Sequence, residues 1–279
     1  KGMIEVSESI ENDLNISGGT FTVEIAEAWC ANGYIPTTEV VGGITYYTVK
    51  EGQFVARVNG KGYTTIDAAI TAAQAGETVT ILAGDYTTNI TINEDITVEG
   101  ERNDQDENLV NITGKLNITA DGATAKNLNV NNGGSTAGYI NAKDVTVDGC
   151  TVVGGNGFRY CYTTGLVTFK NSTITGSTYG IHFDGSAGGN IVIENCDITG
   201  WTSFASTITN VAISNTEFLN GNYNQLRFYQ NAQMTNCKFN KEMTIDFGKN
   251  EVEAEFEGCA VVDTEGNATD APLTDVIYL

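Results

Sequence analysis

The chain has 279 residues, a length that fits one elongated domain or a repeat array with a small appendage. It carries 35 acidic and 14 basic residues, for a net charge of −21. Because nucleic acids and anionic lipids are bound through basic clusters, this charge argues against both as partners, and it disfavours polyanionic sugars unless a cation mediates. The sequence contains no run of 18 apolar residues, which predicts that nothing in this chain spans a membrane.

Residues 1–51 are predicted to form a small strand-rich segment with strands at 21–25 and 44–49, where apolar and polar residues alternate. Three stretches of this segment resemble a module repeated in large surface proteins of gut bacteria. They are Ile16-Ser-Gly-Gly-Thr-Phe21, Ala31-Asn-Gly-Tyr34 and Tyr46-Tyr47-Thr-Val49-Lys50. The resemblance implies an extracellular or bacterial cell-surface location.

A second region, 52–279, opens with a short amphipathic helix predicted within 64–75. Its apolar positions 66, 69, 70 and 73 make one helical stripe. Thr64 with Asp67 three residues later approximates a capping box, and Gly76 supplies a C-terminal stop. Strand-like residues follow from Val79, and a polar loop occupies 100–108.

From residue 123 onward one pattern returns about every 22 residues: apolar, any, apolar, any, Asn or Gly, small, any, apolar. Copies start at 123, 145, 167, 191, 211, 232 and 254. Alternating β-branched or aromatic residues predict strands, and the fixed period predicts a solenoid in which each repeat is one coil. The pattern resembles that of the right-handed parallel β-helix family, whose best-known members are pectate-lyase-like. We therefore expect an all-β solenoid, with the helix as its N-terminal cap and 263–279 as a C-terminal capping segment.

The Asn or Gly of each repeat marks the turn after the strand, because both residues tolerate left-handed backbone angles. Asparagines on successive coils would stack about 4.8 Å apart and form a hydrogen-bonded ladder. These asparagines are Asn171, Asn195, Asn215 and Asn236. The next position is a small residue, and in four copies it is a cysteine that we expect to be buried and unbridged. These are Cys150, Cys196, Cys237 and Cys259. Cys30 and Cys161 lie outside the ladder, and the sequence does not decide whether they are free or in a disulfide.

The second strand of each coil differs most between copies, and that is where a site would lie. Aligning these strands predicts an outward set of Arg159, Cys161, His182, Asp184, Ser203, Arg227, Tyr229 and Asp246. Carboxylates and guanidinium groups bind hydroxyls, so this face suits a saccharide chain. Its expected ligand-binding residues are Arg159, His182, Asp184, Arg227, Tyr229 and Asp246. Rings expected to stack on sugars are Tyr139, Tyr179, Trp201 and Tyr223. The alternative is an ordinary solvated face, which must carry polar groups in any case.

The candidates for catalysis are His182, Asp184 and Arg159. His182 is the single histidine, so a Ser-His-Asp triad would have to use it. Calcium remains possible for lyase chemistry, but Asp184 and Asp246 are expected three coils apart, too far to share one ion. Chemistry like that of pectin methylesterases needs two Asp and an Arg close together, and an inverting glycosidase needs carboxylates about 6.5–9.5 Å apart. Neither arrangement is evident in the sequence.

The main interpretation is a secreted or surface-anchored bacterial protein that acts without catalysis or a cofactor, as an adhesin or carbohydrate-binding scaffold. Its partner would be an extracellular glycan or a host surface. Two alternatives stay open. One is a divergent polysaccharide lyase or glycoside hydrolase, and the other is an architectural spacer of a larger surface protein.

Overall fold

The N-terminal part of the chain is a small antiparallel sheet. The computed structural model describes residues 14–162, 164–219, 225–248 and 252–278. Three strands form this sheet, with the last of them in the middle: Thr20–Phe21, Tyr34–Val41 and Ile44–Glu51. The predicted strand at 21–25 is wrong beyond Phe21, because the chain bends at 22–23 and only Thr20 and Phe21 find partners.

The rest of the described chain is a solenoid of parallel strands with three faces. The first face begins with two antiparallel strands and continues through the repeated strands: Ala56–Val58, Lys61–Tyr63, Thr78–Ile81, Thr97–Gly100, Thr124–Lys126, Val145–Asp148, Leu166–Lys170, Gly189–Glu194, Ile208–Ser214, Ala232–Thr235 and Ala254–Glu257.

The second and third faces belong to one continuous sheet, because three long strands bend from one face into the other. These are Thr151–Tyr160, Thr173–Phe183 and Asp197–Ser203. The other strands of the second face are Gly84–Thr87, Val110–Thr113, Asn129–Asn131, Glu217–Leu219, Lys238–Asn240 and Ala260–Val262. Those of the third face are Ile90–Ile92, Leu116–Ile118, Gly138–Ile140, Gln225–Phe228, Thr244–Phe247 and Ile277–Tyr278.

The register of the first face follows the sequence repeat. Val145 pairs with Val167, Val167 with Ile191, and Ile191 with Val211. The predicted parallel solenoid is therefore confirmed in its period and register. Strands Thr78–Ile81 and Thr97–Gly100 extend the same face ahead of residue 123. The repeat pattern did not show this extension, because the polar loop lengthens one of these coils.

A short α-helix, Ile66–Ala72, packs against the first strands of the solenoid. Its predicted apolar stripe is buried, with Ile66, Ala69 and Ile70 at most 4% exposed. The predicted N-cap is wrong by one residue. Thr65, not Thr64, has the extended backbone of a cap, and its hydroxyl accepts a hydrogen bond from Ala68 N at 3.2 Å. The helix is also shorter than 64–75, because Ala73 already has extended backbone angles.

The turn after each first-face strand has left-handed backbone at the predicted Asn or Gly. The φ values are 51° at Asn171, 53° at Asn195 and 64° at Gly149. Asn195 Nδ2 donates to Asn171 Oδ1 at 2.8 Å, as the ladder requires. The side chains nevertheless lie on the solvent side of the turn, where Asn171 and Asn195 are exposed. Left-handed backbone, rather than burial of the amide, explains asparagine at this position.

The small residue after each of these turns points into the solenoid and bonds two backbone groups. Ser172 Oγ donates to Lys170 O at 2.7 Å and accepts from Cys150 N of the preceding coil at 3.1 Å. Cys237 Sγ donates to Thr235 O at 3.5 Å in the same way. All six cysteines are free, as predicted for the four in the ladder. Cys150, Cys196 and Cys237 are buried, but Cys259 is only half-buried, because it lies in the last coil of the ladder.

Aromatic rings stack in the interior directly beneath the third face. The ring centroids of Phe183 and Phe204 are 4.8 Å apart, and those of Phe204 and Phe228 are 5.1 Å apart. Tyr160 continues the series on the N-terminal side at 5.7 Å from Phe183. This stack fills the interior directly behind the outward side chains of the third face.

The C-terminal segment, which the sequence predicts as a cap, adds a last strand to the third face. After the 3-10 turn Leu273–Asp275, strand Ile277–Tyr278 pairs in parallel with Ile245 and Asp246 on the third face. In the part of the chain that the structure describes, no helix is long and apolar enough to cross a membrane.

Candidate functional site

Five residues on neighbouring strands form one line along the outside of the third face, which we call the polar row: Arg159, His182, Ser203, Arg227 and Asp246. Each is the register partner of the next. Period-two alternation explains their outward direction, because the residues on either side of each one point into the buried core. All five residues belong to the predicted outward set.

The N-terminal half of the row is an arginine–carboxylate pair beside the histidine. Arg159 donates from Nε to Asp184 Oδ1 at 3.0 Å and from Nη2 to Oδ2 at 2.9 Å. Asp184 follows its strand and is 18% exposed, whereas Arg159 is 48% exposed. The bidentate geometry fixes the carboxylate plane. The three predicted catalytic candidates, Arg159, His182 and Asp184, are thus brought together.

The His182 imidazole is held between a carboxylate and an aromatic ring. Its Nδ1 lies 3.9 Å from Asp184 Oδ1, and its ring stacks on Tyr179 with centroids 4.2 Å apart. Burial lowers the pKa of His182 below its usual value, Asp184 opposes this shift, and Arg159 adds to it. The imidazole is therefore neutral near neutral pH and can accept a proton.

The C-terminal half of the row is a second arginine–carboxylate pair. Asp246 Oδ2 accepts from Arg227 Nε at 2.8 Å and from Gln225 Nε2 at 3.1 Å. Tyr229 lies beside this pair, with its hydroxyl 3.5 Å from Arg227 Nη1. Each arginine of the row is thus matched by one carboxylate, so the row carries little net charge while His182 is neutral.

The aromatic rings of this face contact one another. Tyr179 stacks on Trp201 with centroids 4.8 Å apart as well as on His182, and the Arg227 guanidinium lies 5.7 Å from the Trp201 ring. Lys115 Nζ lies 4.5 Å from the Tyr139 ring. The Tyr179 ring is thus stacked on two protein rings, whereas stacking of Tyr139 and Trp201 on sugars stays a prediction. Tyr223 lies outside the described residues.

Cys161 lies near the N-terminal end of the row. Its Sγ donates to the Tyr139 hydroxyl at 3.0 Å and is half-buried. Tyr139 pairs in register with Arg159, so it continues the row by one coil. The hydrogen bond raises the pKa of the Tyr139 hydroxyl, with burial as the second cause. Tyr139 is therefore a neutral hydrogen-bonding group at the N-terminal end of the row.

Ser203 and Gln225 are site residues that sequence reasoning did not select as candidates. Ser203 was placed in the outward set, but no property of its own distinguished it there. Only its register identifies Ser203 as a site residue, because it lies between His182 and Arg227 on successive coils. Gln225 is identified only by its bond to Asp246.

A concave space of about 570 Å³ lies away from the row, under the polar loop. Its cationic groups are already paired, Lys126 Nζ with Glu99 at 3.4 Å and Arg102 Nη1 with Asp106 at 3.5 Å. Asn108 Nδ2 donates across it to Gly149 O at 2.8 Å. These bonds attach the loop to the turns of the solenoid. The concave space therefore results from the way the loop packs, and we do not take it as a ligand site.

Metal-ligand geometry is absent from the described parts of the chain. Across residues 14–162, 164–219, 225–248 and 252–278, no group of three or more His, Cys, Asp or Glu side chains is placed to hold an ion. Asp184 and Asp246 lie three coils apart, roughly 14 Å at about 4.8 Å per strand. The calcium alternative therefore has no ligand cluster in this region.

The fold is that of the right-handed parallel β-helix proteins, as predicted. A pectin methylesterase from Aspergillus niger, with an N-acetylglucosamine stub at one asparagine, superposes with a TM-score of 0.57 at 18% identity, over 78% of this chain and 91% of that one. The deglycosylated form of that enzyme gives a TM-score of 0.56 at 19% identity with the same coverage. No protein-family model matches the chain, and no curated protein matches it in sequence. At this identity the likeness establishes the fold alone.

Proposed function

We propose that this protein is a hydrolase that removes ester groups from a saccharide bound along the third face. The observation that carries the proposal is the half-buried, neutral His182 beside Asp184 in the middle of the polar row. A neutral imidazole next to an oriented carboxylate is suited to general-base catalysis. Such a base is not needed by an adhesin or by a spacer.

The comparisons support a hydrolase more than the non-catalytic adhesin favoured by the sequence. Both reported structures are of an enzyme that acts on a polysaccharide ester. A sugar-binding scaffold would use free ring faces, but Tyr179 and Trp201 are stacked against their neighbours. The proposal therefore develops the hydrolase alternative and leaves the adhesin as an outcome to be tested.

The spacing of the acidic and basic groups favours ester hydrolysis over two other kinds of hydrolysis. A two-carboxylate glycosidase needs its groups about 5–9.5 Å apart, whereas Asp184 and Asp246 are separated by roughly 14 Å at about 4.8 Å per strand. Chemistry with two Asp and one Arg does not fit either, because Arg159 and Arg227 each face a single aspartate. Ester hydrolysis needs only one base, a nucleophile and a group that stabilises the oxyanion.

The charge of the face favours a neutral or esterified saccharide. Arg159 and Arg227 are already paired with carboxylates, so they have no unmatched charge for the carboxylate of a uronate. The chain as a whole carries −21 and repels polyanions. We also propose an extracellular or bacterial cell-surface location, on the resemblance of the N-terminal stretches, since that is where such glycans occur.

The test is a panel of acetylated, methyl-esterified and unsubstituted polysaccharides. We expect release of acetate or methanol without new reducing ends, at least ~100-fold slower in His182→Ala, as for loss of a general base. Gln233→Ala, at an exposed position on the first face, is the control and should keep full activity. New reducing ends would mean a glycosidase or lyase instead. Binding without any product would restore the adhesin, and neither would leave the architectural spacer.

A further inference from the structure

Ser203 has the two neighbours that a nucleophilic hydroxyl needs. It is the register partner of His182 on the preceding coil and of Arg227 on the following coil. Parallel strands lie about 4.8 Å apart, and all three side chains project from the same side of the sheet, so a base and a cation flank the hydroxyl at side-chain reach. Ser203 is half-buried at the end of strand Asp197–Ser203, where a substrate can reach it.

We propose that Ser203 is the nucleophile of the ester hydrolase, with His182 as its base and Asp184 as the group that orients the imidazole. The inference rests on the proposed function and names its covalent step. An alternative for the same function is direct attack by a water molecule that His182 activates. The register favours Ser203, because it places a hydroxyl next to the base without any added group.

The reaction balances as an acyl transfer followed by hydrolysis. Ser203 Oγ attacks the ester carbonyl carbon while its proton passes to His182, and the carbonyl oxygen becomes an oxyanion. Collapse expels the alcohol, which takes the proton from His182 and leaves an acyl ester on Ser203. Water then attacks this ester, gives a proton to His182, and releases the acid as Ser203 Oγ recovers the proton. The sum is ester plus water giving acid plus alcohol, with no other reactant.

The orientation of the imidazole follows from the Asp184 contact. Asp184 faces Nδ1 at 3.9 Å, which leaves Nε2 for the hydroxyl. Arg159 holds Asp184 in place through its bidentate bond. The Asp184–His182 distance exceeds a hydrogen bond by about 1 Å, a gap that catalytic groups commonly close when substrate binds.

Arg227 is placed to donate a hydrogen bond to the oxyanion, as an oriented N–H donor and not as an unpaired charge, because Asp246 already neutralises it. Its guanidinium is fixed by Asp246, which Gln225 also contacts, so the cation is oriented before substrate arrives. A pre-oriented donor beside developing negative charge is worth more than a mobile one, because no reorganisation is required at the transition state. The neighbouring hydroxyl at Thr202 is excluded as nucleophile, because its side chain points into the core and is 0% exposed.

A fluorophosphonate probe tests the nucleophile directly and does not depend on knowing the natural ester. We expect the wild-type protein to be labelled on Ser203 by peptide mapping, and labelling to be lost in Ser203→Ala and reduced at least ~100-fold in His182→Ala. Ser206→Ala, at an exposed serine just beyond the strand, should keep the label. Thermal unfolding of Ser203→Ala should match wild type, since the hydroxyl lies on the outside of the sheet.

Assays of ester hydrolysis distinguish the serine mechanism from the proposed esterase function. If Ser203→Ala still hydrolyses esters at the wild-type rate, the serine mechanism is overturned while the esterase stands. A label on any residue other than Ser203 also overturns it. If the probe labels Ser203 but no saccharide ester is cleaved, the nucleophile is supported and the assigned saccharide substrate is wrong. An unlabelled, inactive wild type refutes both.

Discussion

Replacing Ser172 by Ala should destabilise the solenoid through one backbone group. Ser172 is 3% exposed, and its hydroxyl accepts from the buried Cys150 N–H at 3.1 Å. It also donates to Lys170 O at 2.7 Å, but that carbonyl keeps its bond from Gly149 N at 3.0 Å. Alanine therefore leaves one group without a partner, the N–H of Cys150. A buried unsatisfied group costs about 1–3 kcal/mol.

The expected loss is about 2 kcal/mol, since removing one oxygen leaves only a small void. For chains of this size 1 kcal/mol shifts the melting temperature by about 2–4 °C, so Ser172→Ala should melt roughly 4–8 °C lower by circular dichroism. Ser172→Thr is the matched control, because Thr216 makes the same pair of contacts two ladder positions further along the solenoid. It should lose under about 1 kcal/mol. Equal melting of the two variants would show that the Cys150 N–H finds another partner.

Two further predictions concern titrating groups. Burial raises the pKa of Cys150 to about 12 and that of Cys196 to about 11, whereas a hydrogen bond with Cys237 lowers the pKa of Cys259. Iodoacetamide at neutral pH should therefore modify Cys259 in the native protein and reach Cys150 and Cys196 only after denaturation, and their equal labelling in mass spectra would contradict this. Burial and Arg159 lower the pKa of His182 below its usual value of 6.5. The rate of ester hydrolysis should therefore fall only at a pH below 6.5, where His182 becomes protonated. Arg159→Gln removes a positive charge beside His182, so this acid limb of the kcat/KM profile should move to higher pH. An unmoved limb would show that Arg159 does not affect the titration of His182.

The sequence predicts the buried positions of this fold well, because few residue types are tolerated at them. A coil must bury an apolar residue at every second position, and it must turn through a left-handed residue. Val145, Val167 and Ile191 meet the first requirement, and Asn171 and Asn195 meet the second. The period then sets the register by itself, because a slip of one residue would turn every apolar side chain outward.

Predictions failed where the outcome depends on neighbours that the local sequence does not reveal. Thr64 and Thr65 are both suitable N-caps, and only the backbone angles select Thr65. The alternation at 21–25 suits a strand, but only Thr20 and Phe21 have a partner. Cys259 repeats the pattern of Cys237 yet is half-buried, because it belongs to the end of the stack. The last two errors depend on pairing or packing with residues distant in the sequence, and the first depends on the local backbone angles.

The sequence predicts which residues lie on the outward face, but not which of them contact one another. The proposed mechanism depends on those contacts. The sequence places Arg159 and Asp184 on neighbouring coils, but it does not show the bidentate bond that joins them. Ser203 shows the same limit more sharply. A serine on an outward strand position is ordinary, and it acquires a base and a cation only through the register with His182 and Arg227. In a solenoid the coil spacing is uniform, so function arises from which residues the register makes adjacent, and a one-coil displacement of Ser203 would leave the same composition without a nucleophile.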